Sequence, residues 1–216
     1  MRPNLQLRSM LGTAALLIGL AACGTTGPSA TTTGGPQGSG TTAREIWPRP
    51  ADAAARATAA GLGLEVREHL DTHLHAHLDV FLDGEPVLVP AGIGIDIDDP
   101  DVERFDDPGG VSYGGIETCG QPCISSLHTH AGSGVLHTES PVSDLHTLGQ
   151  FFDEWDVALT ATCVGEICDK PIAVFIDGVA FQGDVRSIEL ADLREIAIVI
   201  GTPPAFVPVT ADFTVP

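Results

Sequence analysis

From Thr72 to Phe81 the chain alternates, with Leu74, Ala76, Leu78 and Val80 on one side and His73, His75, His77 and Asp79 on the other. Period-two alternation predicts a half-buried strand with an apolar core face. Asp83-Gly84 is a hairpin turn signal, and Glu85 to Val89 is the expected return. Pro86 and Pro90 hold that return to a sheet edge or a short length. Ala91 to Ile97 puts Ile93, Ile95 and Ile97 on one face and predicts another strand. Asp96 to Gly110 is acidic and broken by Pro100, Pro108 and two glycines, which predicts a solvated loop. Its spacing misses the EF-hand calcium pattern. Ile124 to His130 and Val135 to Glu139 predict a second strand pair around the loop Ala131-Gly132-Ser133-Gly134.

The period changes after Thr147. Leu148, Phe151, Phe152 and Trp155 recur at i, i+3, i+4 and i+7, the stripe of a helix docked by one face. Thr147 and Gln150 supply its capping box. A shorter Ala-rich helix is expected from Pro50 to Ala60, ended by Gly61. Ile172 to Ile176, the turn Asp177-Gly178 and Val179 to Phe181 predict another hairpin, and Glu195 to Ile200 a buried strand. The fold class expected is mainly β with one docked helix (α+β), assembled from antiparallel hairpins. Val80-Phe81-Leu82-Asp83-Gly84 resembles Val174-Phe175-Ile176-Asp177-Gly178, which leaves a duplicated β-hairpin unit open as a reading.

The N-terminus changes the compartment. Arg2 and Arg8 precede the apolar run Leu11 to Ala22, which ends in Leu20-Ala21-Ala22-Cys23. Positive charge, a short apolar stretch and small residues before a cysteine are expected of a lipoprotein signal peptide over residues 1–22. Cys23 is then the lipidated first residue, anchoring the chain to the cell membrane on its extracytoplasmic face. Residues 23–45 are rich in Thr, Gly, Ser and Pro and predict a flexible tether. Residues 46–216 are long enough for a single globular domain.

Charge narrows the partners. With 29 Asp and Glu against 10 Lys and Arg, the chain is a poor match for nucleic acid or for an electrostatic hold on anionic lipid. Cys119, Cys123, Cys163 and Cys168 remain after Cys23. An even number in an oxidising compartment favours two disulfides, and the spacing favours the local pairs Cys119–Cys123 and Cys163–Cys168. A thiolate metal site or a redox pair is the alternative.

Six of the eight histidines fall on the two strand segments. His73, His75 and His77 share a face, but same-side residues are about 6.5–7 Å apart, so two converge on one ion more easily than three. If the loop after His130 is a plain one, His130 pairs with Val135 and His128 lies opposite His137, with Cβ atoms about 4.5–5.5 Å apart. Two imidazoles at that distance can share a tetrahedral ion with nitrogen–metal bonds of about 2.0–2.1 Å. His130 and Glu139 lie on the same face. A bulge at the glycines would break this register. The candidate metal ligands are therefore His73, His75, His77, His128, His130, His137 and Glu139, with a pH-responsive surface cluster and structural packing as alternatives. His69 and His146 lie outside the alternation and are expected at the surface.

The segments His73-x-His75-Ala76-His77-Leu78, Val89-Pro90-Ala91-Gly92-Ile93-Gly94-Ile95, Leu127-His128-Thr129-His130, Gly134-Val135-Leu136-His137-x-Glu139 and Thr147-Leu148-Gly149-Gln150-Phe151-Phe152 resemble, as a set over roughly residues 70 to 200, an uncharacterised family of secreted bacterial His-rich domains. The chain departs at Ala131, where that pattern has an acidic residue. The resemblance implies an exported His-rich domain and supplies no activity. From the residues themselves, the first expectation is an extracytoplasmic metal-binding lipoprotein with zinc or copper at its histidines. Both methionines, Met1 and Met10, precede Cys23, which argues against a thioether copper(I) carrier. A metal-dependent enzyme using three histidines, with Glu139 or Asp79 as base, is one alternative. A non-catalytic surface interaction module is another.

Overall fold

The computed structural model describes residues 43–107, 109–143 and 145–213. The expected signal peptide, Cys23 and the tether up to residue 42 lie outside the described residues. In chain order the elements are helix α1 (Ala53–Ala59), strands β1 (Leu64–Glu65), β2 (Thr72–Leu82), β3 (Glu85–Val87), β4 (Glu103–Asp107), β5 (Gly110–Gly114), β6 (Ile124–Ser125), β7 (Leu127–His128) and β8 (Val135–Ser140). Helix α2 (Leu148–Glu154), strands β9 (Ile172–Ile176) and β10 (Val179–Ala180), a 3-10 turn at Val185–Ser187 and strand β11 (Arg194–Ile200) complete them.

Seven strands form one mixed sheet in the order β10-β9-β11-β2-β8-β7, with β3 also paired to β2. The fold is mainly β, as the alternation predicts, but not purely antiparallel: β11 runs parallel to β2, Glu195 beside His77. On its other side β2 is shared. Its first half pairs with β8 and its last three residues with β3. Both Asp-Gly turns close two-residue hairpins, with positive φ at Asp83 and Gly84 and again at Asp177 and Gly178. That is the primed turn which follows the twist of antiparallel strands.

Two expected elements are replaced. Ala91 to Ile97 is a succession of turns, not a strand, because Gly92 and Gly94 adopt φ of 77° and 76°. The turns clasp the β6–β7 segment: Gly92 N donates to Thr129 O, Thr129 N to Ile93 O, and Ser125 N to Gly94 O. Ile93 and Ile95 are buried all the same. The acidic stretch from Asp96 to Gly110 is not all loop, since β4 lies within it and pairs antiparallel with β5, which begins at its last residue.

Both helices cover the apolar face of the sheet. Ala76, Leu78, Val80, Leu136, Ile196, Ile198 and Ile200 form one core with Leu148, Phe151, Phe152 and Trp155. Thr147 caps α2 by accepting from Gln150 N, and the Gln150 side chain accepts from Thr147 N, the predicted capping box. The Trp155 indole donates to Trp47 O at 3.2 Å. Helix α1 ends as its Gly61 predicts, with Leu62 N bonding Ala57 O and Gly61 N bonding Thr58 O. No helix among the described residues is long and apolar enough to cross a membrane.

Phe151 is fully buried in this core, so Phe151→Ala is expected to cost about 3–5 kcal/mol. Thr147→Ala should cost about 1 kcal/mol through the lost cap. Urea denaturation measures both, and a Phe151→Ala loss below the Thr147→Ala loss would contradict the docking of α2.

Candidate metal centre

Strand register builds the site. Residues directly paired across a sheet point to the same face. His128 of β7 is paired with His137 of β8, and His137 with His75 of β2. Three imidazoles thus line up across three strands, on the face opposite the core. One step along, His73 pairs with Glu139; one step back, His77 pairs with Val135 on one side and Glu195 on the other. The predicted opposition of His128 and His137 is present. His130 lies just past the end of β7 and joins the same group, its ring centroid 4.7 Å from His128 and 4.5 Å from His137.

Hydrogen bonds fix which nitrogens face inward. A backbone carbonyl only accepts, so a ring nitrogen bonded to one carries the hydrogen. His128 Nδ1 donates to Ser125 O at 2.9 Å, and His130 Nδ1 donates to Tyr113 O at 2.6 Å. In each neutral ring Nε2 is left with a lone pair. These two Nε2 atoms are 3.2 Å apart. Two lone pairs at that distance repel, and a cation between them removes the repulsion. Ligand nitrogens on a tetrahedral ion with bonds of about 2.0–2.1 Å are about 3.3–3.4 Å apart. The spacing therefore matches one edge of such a shell. Imidazole ligands held by a carbonyl through the far nitrogen are the usual outer arrangement of metal-bound histidine.

Other polar atoms converge without hydrogen-bond partners. Both ring nitrogens of His137 and Glu139 Oε2 are buried and unbonded. Glu139 Oε1 is 3.2 Å from His73 Nε2, 3.8 Å from His137 Nδ1 and 4.0 Å from His128 Nε2. His73 Nε2 and His75 Nε2 are 3.0 Å apart. The ligand-capable atoms fall into two overlapping sets, His128, His130, His137 and Glu139, and His73, His75 and His137, each within 4.8 Å of one another. Burial and the neighbouring rings push the pKa of His128 well below the ordinary value and that of His137 down to about 4. Both are lone-pair donors at neutral pH, the form a metal requires.

His77 does not join them. It groups with Asp79 and Glu195, residues 28% and 1% exposed in their side chains. Asp79 is consequently not beside the three-His set, which leaves Glu139 as the carboxylate there. Burial opposes the charged His77 ring, but Glu195, Asp79 and the Ser133 carbonyl outweigh it and raise the pKa. Burial lifts Asp79 to about 6 despite His77, with Glu195 adding to the rise.

The expected surface histidines are corrected. His146 is buried, because the strand-like bridge beside it, Thr147 with Glu189, folds the α2 entry against the chain. His69 is half-buried, 3.2 Å from Glu65. Both local disulfides are present, Cys119–Cys123 and Cys163–Cys168. The first is in a small buried cluster with Ile95, Ile116 and Ile124, just ahead of the strand that carries His128.

Two glycines let backbone press close to the ligands. A Cβ at Gly134 would lie 2.7 Å from Leu78 O and 2.9 Å from His77 Nε2; one at Gly94 would meet Leu127 O at 2.5 Å and His128 Cβ at 3.0 Å. Both have positive φ, which glycine alone adopts at little cost. Glu68, Glu154 and Glu195 escaped the sequence reading. Glu195 gave one signal, a charged residue opening an otherwise apolar strand. Glu68 is near enough to feel Glu139, His130 and His73; burial and Glu139 raise its pKa. Glu154 lies on the core helix, fully buried, with both carboxyl oxygens unbonded.

Comparison with protein-family models, with curated proteins and with solved structures finds no match. The residues themselves carry the reading: the buried His and Glu clusters are capable of holding a metal ion.

Burial raises the Glu154 pKa from 4.5 to about 8. The folded state then binds this proton more tightly than the unfolded chain, so its contribution to stability is greatest below about pH 4.5 and declines as pH rises toward 8. In metal-free protein, Glu154→Gln should remove that decline and exceed wild-type stability at pH 9 by a few kcal/mol, on the order set by the shift. Urea titrations of both proteins between pH 5 and 9 measure it; parallel pH profiles would contradict an ionising, buried Glu154.

Proposed function

We propose that the protein is an extracytoplasmic metal-binding lipoprotein whose His128, His130, His137, Glu139, His73 and His75 hold a transition metal, zinc or copper. The observation that carries this is the pair of Nε2 lone pairs of His128 and His130, 3.2 Å apart with both Nδ1 hydrogens committed to carbonyls. Nothing in the chain's own chemistry relieves that contact without a cation or an added proton. Nearly all donors are imidazole, which suits zinc, copper and nickel over magnesium or calcium. Location outside the cytoplasm draws support from the two disulfides and from the signal-like sequence ending at Cys23. The acylated Cys23 is the proposed membrane anchor, and the likeness to exported bacterial His-rich domains belongs to the same proposal.

A metal-dependent enzyme is the second reading. It is favoured by Glu139, whose Oε1 touches His73 while Oε2 has no hydrogen-bond partner. A carboxylate so placed can serve as a base on metal-bound water.

Metal analysis of the full chain, solubilised in detergent and purified without a His-tag, should give at least about one zinc or copper per chain. His128→Ala and His137→Ala are each expected to lower metal affinity by about a hundredfold or more. His69→Ala should leave it unchanged, since His69 bonds Glu65 and belongs to neither ligand set. Chelation should lower the melting temperature of the wild type by more than that of His128→Ala. Metal-free protein with a melting curve indifferent to zinc, copper and chelator would sink the proposal and leave the interaction module standing.

A further inference from the structure

We propose that His77, Asp79 and Glu195 form a second cation site, separate from the His73–Glu139 cluster, that takes a divalent ion of intermediate hardness such as Mn2+ or Zn2+. It does not depend on that cluster binding metal. His77 Nε2 donates to Ser133 O at 2.9 Å, which leaves Nδ1 of the neutral ring with a lone pair. That lone pair is 2.9 Å from Glu195 Oε2 and 3.9 Å from Asp79 Oδ2. On the neutral ring that lone pair faces two carboxylates, a cluster of negative charge that one cation in their midst would balance.

Burial makes the imbalance costly. Glu195 is 1% exposed, and neither of its oxygens, nor His77 Nδ1, has an aligned hydrogen-bond partner. Among the described residues no Lys or Arg forms an ion pair with Asp79 or Glu195. One ligand atom from each of the three residues lies within 4.8 Å of the others, close enough for one ion to touch all three. One imidazole with two carboxylates is a harder donor set than the neighbouring histidines and accepts manganese as well as zinc.

Geometry also suggests what the ion does. Glu195 is on β11, and His77 and Asp79 are on β2, strands that run parallel in the main sheet. An ion shared by the three residues would cross-link those strands. The ring of Phe213 stands edge-on to His77, with centroids 6.4 Å apart, so the last described turn of the chain is packed beside the site.

The rival occupant is a proton, which would make His77 an imidazolium bridging the two carboxylates. Mn2+ alone separates the two cases. Metal-stripped full chain in detergent is titrated with Mn2+, and free Mn2+ is read by electron paramagnetic resonance. About one Mn2+ per chain should bind to the wild type and equally to His128→Ala. Asp79→Asn, at the half-buried rim, should weaken binding at least about tenfold, and Glu195→Gln should abolish it, each with a far-ultraviolet circular dichroism spectrum like that of the wild type. Undiminished binding in Asp79→Asn, or no binding of Mn2+ or Zn2+ by His128→Ala, overturns the site and assigns the proton. Failure of the His73–Glu139 cluster shows differently, as equal zinc content in His128→Ala and the wild type.

Discussion

An imidazole has one hydrogen to give when neutral, and where it gives that hydrogen decides what its other nitrogen can do. At His128 and His130 the hydrogen goes to the backbone, to Ser125 O and Tyr113 O. Their remaining nitrogens are forced to meet as acceptors at 3.2 Å. Much of the surrounding architecture serves to hold that meeting. The Cys119–Cys123 disulfide and the glycine turns at 92–94 fix the segment leading to β7. Tyr113, whose carbonyl orients His130, is on β5 of the β4–β5 hairpin, and Tyr113 N bonds back to His130 O. A ring tethered at both its backbone and its outer nitrogen has little freedom to turn away.

The sheet separates two kinds of energy. On one face, aliphatic side chains of β2, β8 and β11 are buried with α2, and the hydrophobic effect supplies the stability. On the other face the same strands carry histidines and carboxylates, several of them buried without partners. Unpaired buried polar atoms cost free energy, about 1–3 kcal/mol each. A chain that concentrates such atoms on one face destabilises itself locally unless a ligand compensates, and sites of that kind are where local rules are expected to fail. The acidic surplus of the chain acts in the same direction, favouring cations near the surface.

Much of this is legible in the sequence alone. Alternation placed His73, His75, His77 and Asp79 on one face of β2, and the four-residue loop set His128 opposite His137, because strand periodicity and loop length are local properties. The α2 stripe, its Thr147–Gln150 box and both Asp-Gly turns are equally local. The reading of Ala91 to Ile97 failed because apolar spacing reports burial and not backbone angle; two glycines with positive φ gave the isoleucines their burial through turns. The β4–β5 hairpin was missed because its residues are largely polar and exposed, so no apolar period marks it. His146 was placed at the surface because nothing nearby in sequence shows that Glu189 pairs beside it.

By itself, then, the sequence determined which residues of a strand share a face, where the two Asp-Gly turns fall, and that imidazole is the dominant donor. It could not determine how the histidine strands are assembled. That β2 lies directly against β8, so that His75, His137 and His128 form one row, is a matter of long-range pairing. The same holds for β11, whose parallel register brings Glu195 to His77 and draws that histidine, with Asp79, away from the others. Pairing between distant strands is set by the burial of the whole apolar face, a sum over residues from every part of the chain. Periodicity along one segment carries no record of it.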